Sequence, residues 1–202
     1  MCKDLPPLER AIQFHGHICP GLLIGVRAAE FAQQHLGLGV DEDEQLIAIV
    51  ENDNCSVDAI QAILSCTFGK GNLVFRDYGK NVWTIGSRQS SKAVRIAQKF
   101  NSLQGMEYKR FGELATRVLN EEEAAEKEML IGVLFEKVMS IPVEDLFTWQ
   151  DVELDFPPRA RIVTTLQCTS CGEGVMETRS TKTERGILCP ACMQKEGDAP
   201  GV

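Results

Sequence analysis

LVFRDYGKNVWTIGSRQSSKAVRI, residues 73–96, is the stretch on which the fold class turns. Leu73 to Arg76, Val82 to Ile85 and Ala93 to Ile96 are short runs rich in apolar, β-branched and aromatic residues. Asp77–Lys80 and Gly86–Ser91 separate them, and segments of this length between turn-forming residues read as an antiparallel meander. Upstream, Gln45 to Val50 (QLIAIV) is short, apolar and flanked by acids, which predicts a buried strand. Asn52-Asp53-Asn54 follows as a turn, and Ser56 to Leu64 returns to helical spacing through Val57, Ile60, Ile63 and Leu64. Further upstream, Leu8 to His17 and Leu22 to Leu36 read as two helices, with Pro20 opening the second and Gly37 closing it.

Downstream, Glu107 to Ser140 is mainly helical, with an apolar stripe through Leu130, Val133, Leu134, Val138 and Ile141. Glu121–Glu123 and Glu126 are a solvated face or a helix start. Phe156-Pro157-Pro158 reads as a stiff linker. Helices and strands segregate, which predicts an α+β core with an antiparallel sheet and packed helices. The expected division is a core over 1–156, a linker or strand over 157–166, and a small cysteine-rich domain over 167–202.

A chain of 202 residues suits one main domain with a small appendage. With 44% apolar and 25% charged residues, wholesale disorder is excluded. The net charge of −8, from 21 basic against 29 acidic residues, argues against a nucleic-acid coat or a polybasic membrane anchor. No apolar run approaches the roughly 20 residues that cross a bilayer. Met1 to Arg10 places acids and two prolines ahead of any apolar stretch, unlike a secretory signal. The expected location is the cytoplasm, where cysteines more often bind metal or do chemistry than form disulfides.

Eight cysteines are therefore informative. Cys168-Thr-Ser-Cys171 and Cys189-Pro-Ala-Cys192 have the spacing of a four-thiolate zinc site, with Gly172 allowing the first turn. A unit this small needs metal to fold, so the reading is a structural zinc finger of treble-clef or ribbon type. Two redox-active C-x-x-C pairs are the rival. Residues 168–192 hold three basic and three acidic side chains, so a nucleic-acid footprint is missing. Docking or support is the expected role.

Phe14-His15-Gly16-His17-Ile18-Cys19-Pro20-Gly21 is the densest chemical signal. His17 and Cys19 lie at a break between helices, and a helix N-terminus favours the Cys19 thiolate. They make half of a transition-metal site, for zinc or another metal, and Cys55 is the natural third ligand. Three protein ligands leave a position open for exchange. Glu51, Asp53 and Asp58 could orient a ligand histidine or move protons. His15 is either a packed helix residue or a further ligand. Cys66 reads first as a small buried hydrophobe and second as a ligand, and Cys2 as a chain-terminus residue. Lys70, in Thr67-Phe-Gly-Lys-Gly-Asn72, sits in an anion-binding type of turn; Asp77 and Lys80 flank a second Gly-Lys turn, and all three are ligand-binding candidates. Phe75 and Trp83 are expected to fill the core.

Taken in order, HGHICPG, END-x-C-x-x-DAIQ, CTFGKGNL and DYGK resemble the FmdE family, the E component of formylmethanofuran dehydrogenase, over about residues 10 to 100. The resemblance implies an α+β core, a homodimer with exchanged elements, an accessory treble clef, and a metal near the Cys/His motif. It carries over first to His17, Cys19 and Cys55; His15, Asp53, Asp58, Cys66, Lys70, Asp77 and Lys80 match motif positions. It also implies a molybdenum or tungsten oxidoreductase as partner, with the redox catalysis in other components. The expected function is thus a metal-binding accessory protein, with no membrane and no nucleic acid. An alternative is an enzyme using a metal-activated water with Asp53, Glu51 or Asp58 as base. A third is a thiol-redox protein using Cys19 and Cys55.

Overall fold

In the computed structural model, residues 5–38, 44–159 and 162–195 are described, and the chain divides into two compact units, Met1–Arg159 and Ala160–Val202. Cys2 and residues 196–202 of the expected finger lie outside the described residues.

The larger unit is a mixed α+β fold around a five-stranded, mostly antiparallel sheet. Helix α1 (Pro7–His15) has proline in its first turn and ends where Gly16 turns left-handed at φ 91°. Helix α2 (Pro20–Leu36) ends at Gly37 in the same way. Strand β1 (Leu46–Val50) is buried at every position, and helix α3 (Ser56–Leu64) follows within the expected bounds. Strands β2 (Leu73–Phe75), β3 (Val82–Ser87) and β4 (Lys92–Gln98) come next. Helices α4 (Met106–Ala115), α5 (Glu121–Ser140) and α6 (Val143–Leu146) precede strand β5 (Phe147–Val152).

The strand order is β2-β1-β3-β4-β5, which corrects the meander. Only β3 and β4 pair as the expected hairpin, with Trp83 opposite Ile96. β2 instead runs parallel to β1, with Ala48 opposite Leu73 and Val50 opposite Phe75. The reason is α3: it carries the chain back along the sheet, so β2 begins at the same end as β1. β1, apolar on both faces, takes an inner position; Asn72 secures the pairing, its carbonyl accepting from Ala48 N and its amide donating to Leu46 O at 3.1 Å. Phe75 departs from expectation as well. It is 48% exposed on the edge strand, whereas Trp83 is fully buried. β5 was not foreseen, because its one strongly buried side chain is Phe147 and its other positions face solvent or are half-buried.

Helices α2 and α3 cover the sheet and share the main core with Trp83, Ile85 and Ile96. The predicted helix over 107–140 is two helices. Asn120 starts the second with a reciprocal capping box to Glu123, so the acids there are a helix start. Arg27 of α2 donates to the carbonyls of Val138, Met139 and Ile141 at 2.7, 2.8 and 2.8 Å, which places a cation at the α5 C-terminus and ties α5 to the core.

The smaller unit has two short hairpins, β6 (Thr165–Gln167) with β7 (Gly174–Met176) and β8 (Thr181–Thr183) with β9 (Gly186–Leu188), then helix α7 (Pro190–Lys195). Its buried cluster is Cys168, Leu188 and Cys192. Among the described residues, no helix is long and apolar enough to cross a membrane.

Candidate metal centres

In the smaller unit, Cys168, Cys171, Cys189 and Cys192 bring their sulfurs within 4.8 Å of one another. Four sulfurs bound at about 2.3 Å to one tetrahedral ion would stand about 3.8 Å apart. The 4.0 Å between Cys171 and Cys189 Sγ fits that requirement. Two knuckles make it: Gly172, at φ 78°, lets its N–H reach Cys168 O at 2.9 Å, and Cys189 N donates to Cys168 Sγ at 3.3 Å. Backbone N–H groups of Cys171 and Cys189 pull the Cys168 thiol down to about 6, so this sulfur is readily a thiolate. The four-cysteine group has the arrangement of a zinc finger.

In the larger unit, a second group forms where α1 meets α2. The side chains of His15, His17 and Cys19 place ligand atoms within 4.8 Å of one another. Cys19 Sγ lies 3.7 Å from His15 Nε2, and an imidazole nitrogen and a thiolate on one tetrahedral zinc would be about 3.6 Å apart. The two imidazole rings are 4.4 Å apart. On its far side, His15 Nδ1 lies 2.7 Å from Asp58 Oδ2, a contact that brings α3 to the end of α1. A carboxylate on one ring nitrogen fixes the tautomer and aims the other nitrogen at the site.

Cys19 is the N-cap of α2, and its sulfur accepts from Leu22 N at 3.4 Å. The helix end does not make it a thiolate in the metal-free protein. Burial pushes the thiol up to about 11, with the neighbouring Cys55 adding to the rise. Cys55 lies just outside the closest group: a Cβ placed on Gly21 would stand 4.0 Å from both the Cys19 and Cys55 sulfurs. Its position is fixed by its neighbours. Asn54 Oδ1 accepts from Ser56 N and Ser56 Oγ at 3.0 and 2.6 Å, and Asn54 Nδ2 donates to Asn81 Oδ1 at 2.7 Å. Asn81 in turn donates to Gln98 Oε1 at 2.8 Å, and Trp83 Nε1 donates to Ser56 Oγ at 3.2 Å. This amide chain joins the α3 start to β3 and β4. The Asn-x-Asn-Cys pattern was visible in the sequence, but its partners were not.

A cavity of about 790 Å³ opens on His17, Cys19 and Cys55, and Phe111, Leu119 and Ile131 of the α4–α5 region supply much of its apolar lining. A smaller cavity of about 320 Å³ reaches His15, Asp53, Cys55, Asp58 and Phe75.

Residues 14–148 match the family described as "FmdE, Molybdenum formylmethanofuran dehydrogenase operon". The chain belongs to the FmdE family. A curated relative from Archaeoglobus fulgidus, described as a "Probable S-adenosyl-L-methionine-binding protein", is 36% identical over 183 residues, 85% of this chain and 49% of the relative. This FmdE-family chain thus spans about half the length of that relative. A solved structure from Syntrophus aciditrophicus, described as a tungsten formylmethanofuran dehydrogenase FmdE-like protein, is similar in fold at a TM-score of 0.64. It is 23% identical and covers 96% of this chain and 92% of its own.

Against the FmdE resemblance, His15 stands within the closest ligand group and Cys55 beside it. Cys66 is buried in the core, its sulfur 3.8 Å from Leu64 O. Of the three carboxylates considered as bases, Asp58 is engaged with His15. Glu51 is buried and pairs with Arg95 at 3.0 Å, and Asp53 is exposed beside the smaller cavity. Lys70 lies in the turn after Thr67, whose hydroxyl accepts its N–H at 3.3 Å. Asp77 is on the exposed β2–β3 connection, and Lys80 lines a separate cavity of about 440 Å³.

Proposed function

We propose that this chain is a metal-binding accessory protein serving a molybdenum or tungsten oxidoreductase. His15, His17 and Cys19 would hold an exchangeable transition metal such as zinc, with Cys55 beside them, and the four distal cysteines would hold a structural zinc. One observation carries the reading: His15 is held by Asp58 through Nδ1 while Nε2 faces Cys19 and the His17 ring. A histidine fixed in this way is prepared to donate a lone pair. The family description supports the molybdenum-enzyme connection.

A metal there would supply Lewis acidity and an anchor for a ligand atom. The chain's own residues do the rest. Asp58 keeps the His15 proton on Nδ1, and the Asn54–Asn81 bond fixes Cys55. The apolar lining from α4 and α5 limits water beside Cys19. In this reading the chain works as a homodimer in the cytoplasm, where thiols stay reduced.

Metal analysis of the purified full chain tests the reading: two metals per chain are expected, and one after His15→Ala with Cys19→Ser. A single metal in the unaltered chain, unchanged by that pair of substitutions, would reject the core site. Asp58→Asn should retain the fold but weaken metal binding at the core site by about 10- to 100-fold, read by competition with a chromophoric chelator. An unchanged affinity would show that Asp58 does not orient a ligand.

The Archaeoglobus relative's description favours a second reading, in which the cavity of about 790 Å³ takes S-adenosyl-L-methionine. Equilibrium dialysis with that compound decides it; no retention at millimolar concentration ends the idea.

A further inference from the structure

The cavity of about 440 Å³ at Lys80 is lined by Lys99, Asn81 and Gln98, with Phe100 and Tyr108 adding aromatic surface. Its lining includes two lysines and no acid, in a chain with 29 acids against 21 bases. The Lys99 ammonium donates to the Glu144 carbonyl, a neutral partner that leaves its charge in place. Phe100 is 98% exposed, an aromatic ring with no packing duty.

This cavity and the metal-side cavity are neighbours on either side of a third space. A small space of about 130 Å³ shares Asn81, Gln98 and Leu103 with the lysine cavity and Pro20, Gly21 and Cys55 with the metal-side one. Tyr108 lines all three. In order, the three spaces present the donor cluster with the apolar lining of Phe111, Leu119 and Ile131, then a mixed lining that includes Ile24, Leu103 and Tyr108 beside Asn54 and Ser56, then positive charge.

We propose that this trough binds one elongated small molecule, with a metal-coordinating atom beside Cys19, an apolar body along Tyr108, and an anionic group at Lys80 and Lys99. The inference rests on the core metal reading for its first end and on the lysines for its last. Two cations in an acid-free lining attract a carboxylate or phosphate. A neutral tail would forgo that attraction.

Two measurements on the full chain test it. The cobalt-loaded protein is titrated with mercaptoalkanoates of increasing length, from mercaptopropionate through mercaptooctanoate to mercaptoundecanoate, and with the matching mercaptoalkanols. The thiolate-to-cobalt absorption band reports the metal end. At one intermediate length the carboxylate should bind at least about tenfold more tightly than its alcohol, as one charge-assisted contact allows. Lys80→Gln should abolish that advantage, Lys80→Arg should keep it, and Lys99→Gln should reduce it. Equal affinities for acid and alcohol at every length, or indifference to Lys80→Gln, would overturn the proposal while leaving the metal site standing. The second measurement uses inorganic phosphate and the metal-free chain. Amide resonances of Lys80, Asn81, Gln98 and Lys99 should shift together, and their failure to move would also overturn the anionic end. Phosphate shifts without any cobalt band would instead retain the anion site and reject the core metal reading.

Discussion

Cys171→Ser is expected to release one metal per chain and unfold the described residues of the smaller unit, 162–195, while those of the larger unit keep their structure. Cys171 is exposed, so apart from a metal its replacement by serine would cost little, within about 0.5 kcal/mol as for ordinary surface changes. Among the described residues, the small unit's buried cluster is Cys168, Leu188 and Cys192. Such a core cannot offset the conformational entropy of some 40 residues. In metal-organised units of this size the ion contributes on the order of 10 kcal/mol. The expected signature is loss of the dispersed amide resonances of β6 to β9, together with rapid proteolysis of that segment. A strong chelator should do the same to the unaltered protein. A serine variant that keeps its resonances in chelator would mean the cysteines hold no structural ion.

Gly25→Ala carries the second large effect. A Cβ at Gly25 would lie 2.3 Å from Ser56 O, 2.7 Å from Ser56 Cα and 2.8 Å from Ser56 C. All three are backbone atoms, so no rotamer change relieves the clash, and α2 must move away from α3. Overpacking of this kind costs about 3 kcal/mol or more, a fall in Tm of roughly 6–12 °C for a domain of this length. The same shift alters the candidate core metal site. Cys19 caps α2 and Cys55 immediately precedes α3, so separating the helices separates the two sulfurs. Thermal unfolding should show the loss of stability, and metal analysis should show weaker loading of the core site with the four-cysteine site intact. An alanine variant as stable as the original would mean that the two helices do not approach this closely in solution.

The two predictions differ in how far the sequence reaches. The four distal cysteines are two local pairs with a glycine after the first, so their convergence is written in turns a few residues long. The same is true of the α3 bounds, the Gly37 stop and the β3–β4 hairpin, each set by neighbours in the chain. The motif HGHICPG also marked the core site, and His17 and Cys19 are near in space because one turn joins α1 to α2. The rank of its members was less legible. His15 was the secondary candidate, and only its partner Asp58, 43 residues away in sequence, marks it as oriented for binding.

The α+β class, the α3 bounds, the Gly37 stop, the distal cysteine group and the short Cys/His motif are legible in the chain itself, because caps, turns and periodicity depend on adjacent residues. Packing of the whole core decided that β2 lies parallel to β1, that Cys55 comes beside Cys19 at Gly21, and that Arg27 caps α5. Each of these joins segments far apart in the chain, and such pairings follow from packing the whole core rather than from any local preference.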